Sequence, residues 1–233
     1  QSFARENRYK LISKNSINKK IDAVLTAHHK DDLLENFFIR LLRGSGLKGL
    51  ISLKKVKSKV NFDDKIFILR PLINISKQDL IYISKNTFNF YVQDPSNFDD
   101  KFLRVKVRDL IKKLEKDGLT FEKFKLSLNN LAKSNNAIDF YVKKNIEDNS
   151  NFVVLSKKVV LQEKFFIQPD EIVFRSFSEI IHEVGRRKTY ARGVKVENLI
   201  NYFRLNRNPK KKTLSRCIIQ KVNNSVVISR ENK

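Results

Sequence analysis

The chain has 233 residues, 41% of them hydrophobic, with 48 Lys+Arg against 25 Asp+Glu for a formal charge of +23, and a single cysteine. That length and apolar content suit one large domain or two smaller ones with real cores, and exclude a disordered tail. The lone Cys217 excludes an intrachain disulfide framework and paired-cysteine chemistry. No apolar run approaches the roughly 18 residues of a membrane span. With no signal peptide in view, a cytoplasmic protein that binds no membrane is expected. The basic excess attracts polyanions at long range and points to nucleic acid. Abundant Lys, Asn, Ile and Phe also fit an AT-rich coding bias, but bias alone would lift the acidic residues too.

Residue 1 is Gln and the chain has no methionine. Phe3, Tyr9 and Leu11, with Arg5 and Arg8, predict a helix to about Lys14, already in mid-domain, so the sequence reads as a fragment whose N-terminal part lies elsewhere. Residues 21–27, "IDAVLTA", predict a short buried strand. A helix follows, then a second strand at residues 66–72, "IFILRPL". Ser76 and Asp79 form a capping-box pattern that opens a helix to about Lys85. "FYV" at residues 90–92 predicts a strand, and residues 94–97 a turn. This alternation indicates an α/β protein with a parallel sheet. The character changes after Asp99. Helices are expected at residues 101–116 and 121–144, then a β-meander from "FVVL", "KVVL" and "KFFI". Helices near residues 169–187 and 194–205 precede strands at 215–222 and 225–229. The expected division is into residues 1–110, a sheet domain, and residues 111–233, a smaller mixed helical and β domain.

The densest chemistry lies in "TAHHKDDLLENFFIRLLRGSGLKGL", residues 26–50. Leu33, Leu34, Phe37, Phe38, Leu41 and Leu42 make one apolar face of a helix, with Asp32, Glu35 and Arg43 expected on the other side. Asp32 and Glu35, three apart, can converge on one ligand. His28 and His29 sit where a strand ends and a helix begins, the end at which open α/β sheets bind ligands. Three readings compete. His-His-x-Asp-Asp matches no zinc spacing, so no protein metal site is expected. Asp31 and Asp32 suit a helix N-terminus, but that leaves the histidines and Glu35 unexplained. A nucleotide-dependent active site accounts for all of them. The glycines of residues 44–49 then permit close backbone approach to a phosphate, although Gly44 also suits a helix end.

The segment "LTAHHKDDLLENFFIRLLRGSGLKGL" closely resembles the corresponding stretch of the bacterial tRNA(Ile)-lysidine synthetases. "ARENRY", "RPLINISKQDL" and "QDPSNFDDKFLRVKVR" support it, and "TLSRCIIQKVNNSVVISRE" resembles the end of that family's second domain. The resemblance is sharpest over about the first 110 residues. It implies a partial Rossmann-like parallel sheet of the PP-loop, or N-type ATP pyrophosphatase, kind with its first strands missing. It also implies a carbon–nitrogen-forming ligase. Such enzymes use ATP, commonly with Mg2+, to adenylate the wobble cytidine of an isoleucine tRNA with a CAU anticodon. Free L-lysine then displaces AMP to give lysidine. A homodimer is compatible with it.

By resemblance, His28, Asp32 and Glu35 are catalytic, and His29, Arg43, Gly44, Ser45 and Gly46 meet the nucleotide. Arg40, Lys48, Arg104, Lys106, Arg108, Arg186, Arg187, Lys210 and Lys211 meet the tRNA. His182 and Cys217 read as structural. Two departures matter. Arg104-Val-Lys-Val-Arg108 replaces the usual Arg-Asn-Arg-hydrophobic-Arg, and lysine lacks the bidentate fork. The Ser-Gly-Gly-x-Asp-Ser phosphate loop is not in the sequence, so these residues alone are expected to be inactive. The alternatives are a non-catalytic basic RNA-binding protein with a decayed PP-loop fold, and a relative of the tRNA cytidine thiolases. The latter need cysteine pairs.

Overall fold

The computed structural model describes residues 2–53, 57–60, 63–92, 103–153, 158–187, 189–206 and 208–231. The chain forms two compact units, Gln1–Lys133 and Ser134–Lys233. The division falls downstream of the 110/111 boundary expected from the sequence. The later helices of the first unit pack into its core, as follows.

The first unit begins with helix α1 (Ser2–Asn18) and strand β1 (Ala23–Leu25). Helices α2 (Lys30–Leu42) and α3 (Leu47–Leu50) follow, then strands β2 (Lys57–Val60) and β3 (Asp63–Leu69). Helices α4 (Lys77–Phe88), α5 (Leu103–Lys116) and the first part of α6 (Phe121–Asn149) complete it. The strand order is β1-β3-β2. β1 and β3 are parallel, with Val24 opposite Ile68, and β2 is antiparallel to β3. The parallel α/β pairing expected from the sequence is present, but β2 makes the sheet mixed and was not foreseen. Val24 packs with Tyr9, Ile66 and Ile68. The core proper is Leu33 and Leu34 of α2, Val107 and Ile111 of α5, and Phe124 and Leu128 of α6, with Ile51, Leu53 and Ile73.

Several local expectations change. The strand expected at residues 21–27 spans three residues and, among the described residues, lies at the edge of its sheet; Leu25 is 68% exposed rather than buried. On α2, Leu33 and Leu34 are buried, whereas Leu41 and Leu42 at the last turn are exposed. Residues 90–92 form no strand, and the turn expected at 94–97 lies outside the described residues. The Ser76–Asp79 capping box holds: the Asp79 N–H donates to Ser76 Oγ at 3.1 Å and the Ser76 N–H to Asp79 at 3.3 Å.

The second unit contains the rest of α6, strands β4 (Ser150–Val153) and β5 (Lys158–Leu161), and helices α7 (Glu163–Ile167), α8 (Asp170–Gly185) and α9 (Gly193–Leu205). Strands β6 (Lys212–Leu214), β7 (Cys217–Val222) and β8 (Ser225–Arg230) close it. Five strands in the order β4-β5-β8-β7-β6 make an antiparallel sheet. Alternate residues Val159 and Leu161, Cys217 and Ile219, and Val226 and Ile228 are buried, as the period of two requires. They join Val173, Phe177, Ile180 and Ile181 of α8 and Val196, Leu199, Ile200 and Phe203 of α9 in one core. "KFFI", expected as a strand, is helix α7, and its Phe165 is fully buried. The strand expected from residue 215 starts at Cys217. Ser215 and Arg216 have φ of 53° and 64° and form the two-residue turn from β6. Inside this unit Arg175 is buried and its guanidinium is satisfied by Glu171 at 2.7 Å, Asn135 at 2.7 Å and Asp139 at 3.1 Å. Such a charge is tolerated only because it is paired and hydrogen-bonded.

Candidate active site

β1 ends at Leu25 and α2 begins at Lys30, so residues 26–29 form the turn at the carboxyl end of a parallel strand. The Thr26 N–H donates to the Leu69 carbonyl at 2.9 Å and carries the β1–β3 pairing one residue further. His28 Nδ1 lies 2.9 Å from the Thr26 hydroxyl. His29 caps α2, and its N–H donates to the Asp32 carboxylate at 3.1 Å. The His29 ring is held between two acids, Nδ1 3.4 Å from Asp31 and Nε2 3.4 Å from Asp32. Asp31 also accepts the Lys77 N–H at 2.8 Å, which ties the start of α2 to that of α4.

The Asp31 carboxylate beside it raises the His29 pKa, and Asp32 and Glu35 add to the effect against the opposing cost of burial. His29 in turn lowers Asp31 to about 2, helped by the Lys77 N–H. The raised histidine contributes stability in full below its ordinary value near 6.5, and loses it as pH rises through the folded value. The lowered Asp31 contributes in full above its ordinary 3.8, and loses it as pH falls toward 2. Their joint contribution is therefore greatest between pH 3.8 and 6.5. A proton-NMR titration should find His29 titrating above 6.5 in the native chain and moving down in Asp31→Asn. An unshifted His29 would contradict the geometry.

Glu35 differs from its sequence expectation. It lies on the buried side of α2, and its side chain is 5% exposed. Two arginines of α5 clamp it: Arg108 Nε donates to Oε1 at 2.6 Å, and Arg104 Nε lies 3.3 Å from Oε2. Arg104 and Arg108 are four apart and share a helix face. Lys106, two residues from each, is exposed and does not join them. The sequence reading named Glu35, Arg104 and Arg108 separately and missed that they are one unit. Nothing local signals a pairing across 73 residues.

The loop after α2 is occupied with ending that helix. Gly44 has φ +67°, and its N–H donates to the Leu41 carbonyl at 2.9 Å. The Ser45 N–H donates to the Arg40 carbonyl at 2.9 Å. Gly46 caps α3. Arg40 donates to Asn36 at 3.3 Å, while Arg43 and Lys48 are exposed. Two of the loop amides expected for phosphate, those of Gly44 and Ser45, are thus engaged by the helix end. Among the described residues, no group of three or more His, Cys, Asp or Glu is placed to hold a metal ion. No helix among them is long and apolar enough to cross a membrane.

The second unit carries the remaining cations. Arg186 caps α8 in the left-handed conformation, with φ 47°. Lys210 and Lys211 are exposed, and the Lys210 N–H donates to the Tyr202 hydroxyl at 2.8 Å. The Lys212 ammonium sits 4.8 Å from the centre of the Tyr202 ring. Lys188 and Arg207 lie outside the described residues.

A strand–turn–helix with a polar cluster at the strand's carboxyl end fits a nucleotide-dependent class, and residues 1–114 match the PP-loop domain family. The relatives narrow it. The chain is 33% identical over its whole length to the tRNA(Ile)-lysidine synthase of Orientia tsutsugamushi (strain Boryong), covering 59% of that protein. It is 30% identical to those of Wolbachia pipientis wMel and Rickettsia typhi, over 100% and 99% of the chain and 53% and 52% of theirs. The chain belongs to the tRNA(Ile)-lysidine synthase family of PP-loop proteins. It spans a little over half the length of these relatives.

Proposed function

We propose that the chain supplies part of the catalytic domain and a tRNA-binding unit of an ATP-dependent ligase. That enzyme joins free L-lysine to the wobble cytidine of an isoleucine tRNA with a CAU anticodon. The reading is carried by the polar cluster of His28, His29, Asp32 and the arginine-clamped Glu35, in a chain that matches lysidine synthases from end to end. β1 and β3 are then two strands of a Rossmann-like sheet.

ATP, with Mg2+, supplies the activation of the cytidine ring carbonyl when bound. The remaining roles fall to the chain's own residues. His28, hydrogen-bonded to Thr26, accepts the proton that the lysine amine must lose before it attacks. Asp32 orients His29 and holds the helix start. Glu35 is a positioning residue, because its buried carboxylate is already engaged by two arginines. It fixes Arg108 and the half-exposed Arg104 toward phosphate charge. Cys217 is fully buried, with its thiol pushed up to about 11 by burial, so it carries no reactive thiolate. That argues against the thiolase reading.

The test is transfer of labelled lysine. The chain, extended upstream by a segment bearing the Ser-Gly-Gly-x-Asp-Ser loop, should modify a CAU-anticodon transcript and spare the same tRNA with another anticodon. Tight RNA binding with no transfer would make it a non-catalytic RNA binder.

On the tRNA side, Lys210→Ala, Lys211→Ala and Lys212→Ala combined should weaken tRNA binding. The salt dependence of binding should flatten by about one to two units of slope, as expected for two or so lost phosphate contacts. An unchanged affinity at low salt would remove this loop from the tRNA surface.

A further inference from the structure

The second unit contains a cleft of ≈ 810 Å³ that the chemistry above does not use. Its walls come from the segment joining α8 to α9, from the turn between β6 and β7, and from Glu231 just after β8. Arg187, Arg192, Lys195 and Arg216 line it, so cations outnumber Glu231, the acid among the lining residues. Tyr190 lines it too. Its ring stacks on His182, with 4.1 Å between ring centres and 10° between planes, yet the residue is 55% exposed.

The cleft is built on fixed parts. Ser215 and Arg216 occupy a tight hairpin turn, and the Glu231 N–H donates to the Arg216 carbonyl at 2.8 Å. A Cβ on Gly185 would lie 2.1 Å from the Ser215 carbonyl oxygen, so the end of α8 sits directly against that turn. An aromatic plane backed by a second ring, beside several cations, fits a planar base with its phosphate. The volume is that of a small-ligand pocket rather than of a groove that follows a double helix. Base-paired RNA also keeps its base faces stacked inside, where Tyr190 cannot reach them.

We propose that this cleft receives one unstacked nucleotide of a single-stranded RNA segment, its base against Tyr190 and its phosphate among Arg187, Arg192 and Arg216. The proposal deepens the tRNA reading above and rests on it for the choice of RNA.

The test uses the full chain and a single-stranded RNA of about five nucleotides, within the footprint of a small single-strand site. It carries 2-aminopurine, whose fluorescence falls when it stacks. Binding should quench the probe. Tyr190→Leu should abolish the quench and weaken binding on the order of ten-fold, while Tyr190→Phe keeps both. Arg192→Ala with Arg216→Ala should lower the salt slope by about one unit. Circular dichroism checks that each variant is folded. Unchanged quenching and affinity in Tyr190→Leu would overturn the proposal, as would equal binding of a blunt duplex of the same length. Equal competition by a free nucleoside monophosphate would also overturn it and make the cleft a mononucleotide pocket. A parallel titration with tRNA separates the two readings. Quenching without tRNA binding upholds the cleft and sinks the tRNA reading; tRNA binding without quenching does the reverse.

Discussion

Replacing Glu35 with alanine is expected to destabilise the first unit by about 2–3 kcal/mol. Removing one partner of a fully buried ion pair costs more, about 3–5 kcal/mol, because an unpaired charge is left in the interior. Here the carboxylate is buried, but Arg108 is 29% and Arg104 56% exposed, so water takes over part of what Glu35 supplied. Glu35→Gln keeps the shape and loses the charge, for about 1–2 kcal/mol. Native-state hydrogen exchange at the amides of α2 and α5 measures this locally. In a Glu35→Gln and Arg108→Gln double-mutant cycle the two changes should be strongly non-additive. Additive effects would mean that the clamp contributes nothing. In an extended, active form, Glu35→Gln should cut lysine transfer while tRNA affinity is largely kept, because Arg104 and Arg108 lose their aim rather than their charge.

Gly185→Ala is the other large effect. The added carbon would meet the Ser215 carbonyl oxygen at 2.1 Å and Cys217 Sγ at 3.2 Å. The first of these is backbone within a tight hairpin, which cannot step aside as a side-chain tip would. The end of α8 or the β6–β7 turn must move, at about 3 kcal/mol. For a unit of this size the melting temperature should fall on the order of 10–20 °C. Gly193→Ala is the matched control. Its Cβ would meet only the Phe174 ring at 3.6 Å, an ordinary contact, so its effect should stay within about 0.5 kcal/mol. Equal effects at the two glycines would show that lost backbone freedom, and not the contact, governs both.

Much of the architecture was legible because local signals and tertiary environment agree. The Ser76–Asp79 box opens α4 as read, and α5, α8 and α9 lie within two residues of the expected helices at 101–116, 169–187 and 194–205. The errors fall where a run is too short for its period to be judged. "KFFI" is four residues with three apolar in a row, which suits a buried strand or one helical turn equally, and packing of Phe165 decided for the turn. "FYV" reads as a strand only by composition, and Val92 is 84% exposed with no partner strand to bury it among the described residues. At the candidate site, the sequence places His28, Asp32 and Glu35 close together at the start of one helix. Their contacts were not legible. Nothing local says that Asp32 turns back to the His29 amide, or that Glu35 faces inward to two arginines from a helix far along the chain.

The edge position of β1 among the described residues has a consequence for these 233 residues handled on their own. β1 pairs there only with β3, and Leu25 and Ile21 beside it are exposed. Open strand edges promote pairing between molecules, and a charge of +23 opposes it by mutual repulsion. Added salt screens that repulsion, over a distance that shrinks to about 8 Å near 0.15 M. The isolated polypeptide is therefore expected to clump as salt rises, and an upstream segment that pairs with β1 should abolish the effect; light scattering across a salt series checks both.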